Sequence, residues 1–268
     1  MGERAAIDAS DEARTRASIA ADLRDLGVAA GSVLLVHASL SSLGWVCGGP
    51  VAVVAALLDA VGPSGTVVVP THTAGNSDPA LWSNPPIPES WWTTVREQMP
   101  AFDPRLTPSR GMGAVSELVR TFPGAIRSEH PQMSFAAVGR YAEQITAGHA
   151  LDSGMGEGSP LARLYDLDAT VLLVGTGHAN NSSFHLAEYR VPAPRRRQTA
   201  AAVITSRGRE WIVYDDVDLD SDDFEALGAA FDASGRTRFG RIGTADSRLF
   251  AQRDAVDFAV EWLRRERP

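Results

Sequence analysis

Two short β-branched runs, Val33-Leu-Leu-Val-His37 and Thr66-Val-Val-Val-Pro70, bracket an apolar segment, Val51 to Val61, that ends at Gly62-Pro63. Apolar β-branched runs of this length read as strands, the segment between them reads as a helix, and a strand, a helix and a strand in succession make a parallel crossover. The block predicts an α/β architecture. Further along, Val171 to Gly175 is another buried strand and Phe135 to Gly139 is strand-like. Glu12 to Leu26 reads as a helix, with Ala17, Ile19, Leu23 and Leu26 near helical spacing and Gly27 as its stop. Gly113 to Thr121, Arg140 to Gly148 and Ser159 to Tyr165 are also helical, and Asp254 to Arg265 closes the chain as an amphipathic helix with Val256, Ala259, Val260 and Leu263 inward. Ala201 to Ser206 and Glu210 to Tyr214, separated by Arg207-Gly208-Arg209, form a hairpin at which the sheet becomes mixed.

The expected fold is therefore α/β, a mixed and largely parallel central sheet flanked by helices with a C-terminal β-hairpin, in a single domain over residues 1–268. Thr73 to Ser109, rich in Pro and Asn and carrying Trp82, Trp91 and Trp92, reads as an irregular excursion that walls a substrate pocket. The polar lead Met1 to Ser10 has no apolar core of a signal peptide, and no segment approaches eighteen apolar residues, so a cytoplasmic location is expected. A formal charge of −8 disfavours nucleic acid and anionic membrane as partners, and suits a cationic small molecule. The single cysteine, Cys47, excludes an internal disulfide and zinc sites built from several thiolates. All 25 basic residues are arginine, which excludes a Schiff-base lysine.

Chemistry concentrates where Val174-Gly-Thr-Gly-His178 leaves a strand through a glycine loop and enters a helix carrying His185 and Glu188. In a first helical turn the free N–H groups and the dipole disfavour imidazolium, which suits His185 to general-base work, although a capping or packed histidine is equally open. The acidic run Asp215 to Asp220 is either a solvated loop or, if the strand continues, a way to place Asp216 and Asp218 on one face to orient a histidine. Glu188, three residues beyond His185, competes for that role. The loops after His37 and before Gly113 offer glycines and helix-start N–H groups, with Arg110, to a phosphate. Gly175-x-Gly177 lacks the third glycine of a dinucleotide fingerprint, no Gly-x-Ser-x-Gly elbow occurs, and His178 and His185, seven apart without a His-Glu-x-x-His arrangement, give a poor metal signal. Cys47 is either a thioester-accepting nucleophile or inert.

Leu35-Val-His-Ala-Ser-Leu-Ser-Ser-Leu-Gly44, Gly62-Pro-Ser-Gly-Thr-Val-Val-Val-Pro70, Pro108-Ser-Arg-Gly-Met-Gly113, Arg127-Ser-Glu-His-Pro131, Gly156-Glu-Gly-Ser-Pro160 and His185-Leu-Ala-Glu188 follow one another along the chain. In that order they resemble the motifs of aminoglycoside 3-N-acetyltransferases, from about Ala17 to the final helix. The resemblance implies the antibiotic N-acetyltransferase fold, acetyl-CoA as co-substrate, no metal, and direct transfer to the 3-amino group of the 2-deoxystreptamine ring, a route to aminoglycoside resistance. It implies that His37, Ala38, Ser39, Leu40, Ser41 and Gly44, with Ser109, Arg110, Gly111, Met112 and Gly113, line the coenzyme site. By the same resemblance His185 is catalytic and Asp216 and Asp218 are the closest positions to its acidic supports. Asp78, Glu188, Asp220 and Asp223 are expected to meet substrate ammonium groups. The partners implied are an aminoglycoside and coenzyme A, with a homodimer left open. An enzyme of the same family acting on another amine, and a non-catalytic aminoglycoside-binding module, are the alternatives.

Overall fold

The structure, a computed structural model, describes residues 3–8 and 10–267; of the polar lead, Met1, Gly2 and Ala9 lie outside the described residues, as does Pro268. Helix α1 (Glu3–Asp8) falls within that lead, followed by α2 (Arg16–Leu26), β1 (Val33–Ala38), α3 (Gly49–Val61) and β2 (Thr66–Pro70). Next come α4 (Trp92–Gln98), α5 (Gly113–Thr121), β3 (Ile126–Arg127), β4 (Phe135–Gly139), α6 (Ala142–Thr146), α7 (Pro160–Asp166), β5 (Thr170–Val174) and α8 (Ser183–Arg190). The chain ends through β6 (Arg196–Thr205), β7 (Gly208–Val217), α9 (Phe224–Ala233), β8 (Arg238–Ile242), β9 (Ala245–Ala251) and α10 (Gln252–Glu266).

Seven strands form one sheet in the order β3-β4-β2-β1-β5-β9-β8. Parallel pairing is confined to β2-β1-β5, as the crossover predicts, and every other pairing in this sheet is antiparallel. The sheet is thus mixed as expected, but its parallel part is narrower than a largely parallel sheet. The hairpin β6-β7 does not make it mixed, because it stands apart as a two-stranded sheet. Its loop is Ser206-Arg207, with Gly208 (φ +101°) already paired to Thr205.

Strand alternation divides the core between the two faces. Leu34 and Val36 of β1, Val67 and Val69 of β2, and Leu172 and Val174 of β5 pack with α2, α3 and α5. Leu35, Val68, Val171 and Leu173 pack on the other face with α6 to α10. Covering both faces is why these strands read as unbroken apolar runs. Helix α2 begins one turn later than expected, since Thr15 and Ser18 form a reciprocal cap, and the fourth inward residue is Ala20, with Ala17 exposed. In α10 Val256, Ala259 and Leu263 are buried and Val260 is half-buried.

The excursion 73–109 holds short 3-10 turns and α4, and the hairpin covers it: Phe102 N donates to Ala202 O at 2.9 Å, and the Arg209 guanidinium donates to Met99 O at 3.1 Å. No helix among the described residues is long and apolar enough to cross a membrane.

Candidate active site

A cavity of about 390 Å³ opens at the carboxyl ends of the parallel strands, the usual place for a ligand in an open α/β sheet. His37, Ala38 and Ser39 reach it from the end of β1, His72 from the segment after β2, and Gly111 to Gly113 from the start of α5. Thr176, Asn180, Ser182 and His185 come from the loop after β5 and the first turn of α8. Gly111 and Gly113 have φ of +77° and +83°, a left-handed conformation that glycine adopts without strain. Met112 caps α5 with no side-chain hydrogen bond, so the helix presents free N–H groups beside the cavity.

His185 occupies the third position of α8. Its Nδ1 lies 2.6 Å from Glu188 Oε2. A carboxylate at Nδ1 makes that nitrogen the donor and leaves Nε2 as the basic one. Glu188 is buried, with its side chain 5% exposed, and its other oxygen accepts from Asp220 N at 3.0 Å and from Arg267 Nη1 at 2.6 Å. Both oxygens are therefore paired, which a buried carboxylate requires. The Phe224 ring packs against the imidazole with centroids 4.7 Å apart.

His37 and His72 complete a histidine triangle around the cavity. Burial, and then the nearby His185, push His37 down to about 4 and His72 down to about 3. Both rings are uncharged at neutral pH, and the Nε2 of each is buried with no protein partner. Polar atoms buried without partners are costly, so these nitrogens suit a ligand that can satisfy them. The spacing between residues 37, 72 and 185 carries no signal in the sequence that they meet.

The expected acidic supports do not reach His185. Asp216 ends the hairpin, where the strand does continue to Val217, but its carboxylate accepts from Gly154 N at 3.0 Å, Val217 N at 2.8 Å and Tyr189 Oη at 2.6 Å. Asp218 is exposed and faces Arg197 at 3.4 Å. The carboxylate found at His185 Nδ1 is Glu188, which shares a helix face with it.

The acids expected at the substrate are largely neutralised. Asp78 caps a 3-10 turn and accepts from Nε and Nη2 of Arg96, Asp223 pairs with Arg267, and Glu188 shares that same guanidinium. Asp220 contributes its backbone to Glu188 and accepts Asp222 N at 2.9 Å through its side chain. Among the residues expected at the coenzyme, Leu40 packs on the core, and Ser41 touches Ser39 at 3.4 Å. Gly44 is a buried turn against Ser10 and Thr244. Ser109 is drawn to Glu117, and Arg110 lines two neighbouring cavities under the excursion. Cys47 is exposed and does not line the histidine cavity.

Three other histidines hold the structure together. His178 is stacked on Phe184 and Phe250 with Nε2 3.1 Å from Asp232. His130 and His149, rings 4.7 Å apart, tie the loops 128–134 and 149–155 through Gln132 N, Met133 N, Ser128 Oγ and Gly154 O. Arg127 in the same motif is buried and donates to Thr71 O at 2.7 Å and to Ser134 Oγ at 3.0 Å.

A mixed α/β sheet with a histidine-lined cavity at the ends of its parallel strands places this chain among α/β proteins with a ligand site at the strand ends. The model of the family described as aminoglycoside 3-N-acetyltransferase matches residues 35–264. The chain is 43% identical over 258 residues to the SPbeta prophage-derived aminoglycoside N(3')-acetyltransferase-like protein YokD of Bacillus subtilis (strain 168), covering 96% of this chain and 95% of that protein. The crystal structure of YokD superposes with a TM-score of 0.97 at 42% identity, over 98% of each chain. Aminoglycoside N(3)-acetyltransferase VII of Streptomyces paromomycinus is 36% identical over 279 residues, covering 98% of this chain and 96% of that protein. The structure described as AAC-IIIb binary with CoASH matches at a TM-score of 0.85 and 36% identity, covering 95% of this chain and 97% of that one. The chain belongs to the aminoglycoside 3-N-acetyltransferase family.

Proposed function

We propose that this protein, working as one domain over its whole length, transfers the acetyl group of acetyl-CoA to the 3-amino group of the deoxystreptamine ring of an aminoglycoside, and so confers resistance to it. The observation that carries the reading is the His185 Nδ1 to Glu188 Oε2 contact of 2.6 Å at the edge of the cavity. It turns Nε2 into a base aimed at an incoming amine.

Acetyl-CoA supplies the acetyl group as an activated thioester. The residues that would hold it are His37, Ala38 and Ser39 with Gly111, Met112 and Gly113, where free N–H groups and two unpartnered imidazole nitrogens await polar atoms. His185 Nε2 takes the proton that the amine loses as it bonds to the acetyl carbon, and returns a proton to the departing sulfur. Glu188 keeps the imidazole in the required tautomer and stabilises its charged form. Neutral His37 and His72 can donate hydrogen bonds toward the carbonyl oxygen as it becomes negative. Asp216 has a structural role and Asp218 pairs with Arg197 at the surface, and Asp220, whose carboxylate holds Asp222 N, is the acid left among those expected to meet a cationic acceptor.

Thiol release from acetyl-CoA with a panel of aminoglycosides, for wild type and His185→Ala, tests the reading. General-base assistance is worth about a hundredfold to ten-thousandfold, so turnover should fall by that order. Unchanged turnover in the mutant removes His185 from the chemistry, and no thiol release with any aminoglycoside removes the acceptor assignment.

A further inference from the structure

The carboxylate that holds His185 is itself held from across the molecule. Arg267, the cap of α10, donates through Nη1 to Glu188 Oε1 at 2.6 Å, through Nε to Asp223 Oδ2 at 2.7 Å, and through Nη2 to Asp220 O at 2.6 Å and to Asp223 Oδ1. Its guanidinium carbon lies 5.9 Å from the centroid of Phe224, the ring that packs on the His185 imidazole. Asp220 N gives Glu188 Oε1 its second donor, so the guanidinium secures both the carboxylate and the backbone that helps bind it. A fork of fixed donors suits this task, because each of its edges can serve a different acceptor.

We propose that Arg267 is a positioning residue for the transfer reaction: by fixing Oε1 of Glu188 it keeps Oε2 on Nδ1 of His185, and its charge offsets the pull of that carboxylate on a proton at the imidazole. The inference rests on His185 being the base. The charged and titratable groups around this pair are Glu188 and Tyr189 on α8, His37 from β1, His72 after β2, Asp220 and Asp223 before α9, and Arg267 after α10, with Arg195, Asp218 and Arg264 farther out along the cavity that Glu188 borders. Arg267 is the cation bonded to Glu188, so removing it makes the surroundings of the imidazole more negative and raises the affinity of His185 for a proton.

The experiment measures kcat and KM for acetyl-CoA and for the acceptor from pH 5 to 9 in wild type, Arg267→Gln, Arg267→Lys and His185→Ala. In Arg267→Gln we expect kcat to fall about tenfold to a hundredfold, the range for losing an outer partner of a working histidine, with KM for acetyl-CoA changed by no more than about threefold. The acid limb of the kcat profile should move up by about one pH unit, the size expected for losing one partly buried charge nearby. Arg267→Lys keeps the charge and should hold the limb near the wild-type position while losing part of kcat. Should the glutamine variant fail to fold by circular dichroism, the lysine variant carries the test through its ratio of lost kcat to unmoved limb. A wild-type kcat in Arg267→Gln, or equal losses in both variants with no movement of the limb, overturns the proposal. Full turnover in His185→Ala overturns the functional reading instead, so the two failures are distinct.

Discussion

The Tyr189 hydroxyl donates to Asp216 Oδ1 at 2.6 Å, joining the helix that carries His185 and Glu188 to the end of the hairpin. The same carboxylate receives Gly154 N, so three segments far apart in sequence meet on one buried acid. The burial and the hydrogen bond both raise the proton affinity of the Tyr189 phenol, which stays uncharged and keeps its proton on Asp216. This joint braces the helix that carries His185.

Asp216→Asn should therefore act on stability. Breaking a buried, multiply bonded carboxylate leaves Gly154 N or Tyr189 Oη without a good partner, and about 1–3 kcal/mol is the usual consequence. Urea denaturation should show that loss, and kcat in the folded fraction should stay within about threefold of wild type. A collapse of kcat at unchanged stability would return Asp216 to the catalytic role that the family resemblance suggested.

Glu188→Gln should have the opposite signature. The amide keeps the shape but can present its NH2 group to Nδ1, which favours the wrong tautomer of His185. Turnover should drop by at least about tenfold with little change in the affinity for either substrate, read from steady-state kinetics. Equal activity would mean that Glu188 is structural.

Acid should destabilise the fold earlier than its carboxylates alone require. Burial holds His37 and His130 down to about 4 and His72 to about 3, against an ordinary 6.5. The unfolded chain then binds protons that the folded one refuses, so stability is complete above about pH 6.5 and is lost as pH falls toward 4. At pH 5 the expected loss is about 2 kcal/mol for each such histidine. Urea midpoints at pH 7, 6 and 5 check this, and a flat series would show that these rings are not buried neutral in solution.

Gly113→Ala probes the cleft proposed for the coenzyme. A Cβ there meets only Ala38 O at 3.7 Å, an ordinary contact, so the obstacle is the φ of +83°. A left-handed alanine costs about 1–2 kcal/mol, and relaxing it turns the N–H groups at the start of α5 away from the cavity. KM for acetyl-CoA should rise several-fold, about tenfold at most, while KM for the acceptor stays put. A rise in the acceptor KM alone would assign this loop to the other substrate.

The central strands were legible because both faces are buried, which leaves continuous apolar runs at β1, β2 and β5. The hairpin β8-β9 was not, since β8 is an exposed edge of mixed polarity and Phe239 is 60% exposed. Its pairing on β5 supplies the antiparallel flank that the sequence reading lacked. The acidic run at the end of β7 is less legible for a related reason: period-two alternation puts Asp216 and Asp218 on one face, yet nothing in that pattern says which element the face meets. Asp216 met Tyr189 and Gly154, and Asp218 met Arg197 at the surface.

What the sequence determined by itself is local. A helix brings residues three apart onto one face, so His185 and Glu188 could find each other from their spacing alone. Glycines at 111 and 113 announced a turn that only they adopt easily, and the β-branched runs announced their strands. Tertiary structure decided the rest: that His37 and His72 close around His185, and that Arg267, 79 residues beyond Glu188, clamps its carboxylate. Such meetings depend on strand order and on which helix covers which face, and those follow from the packing of the whole core, which no short pattern along the chain encodes.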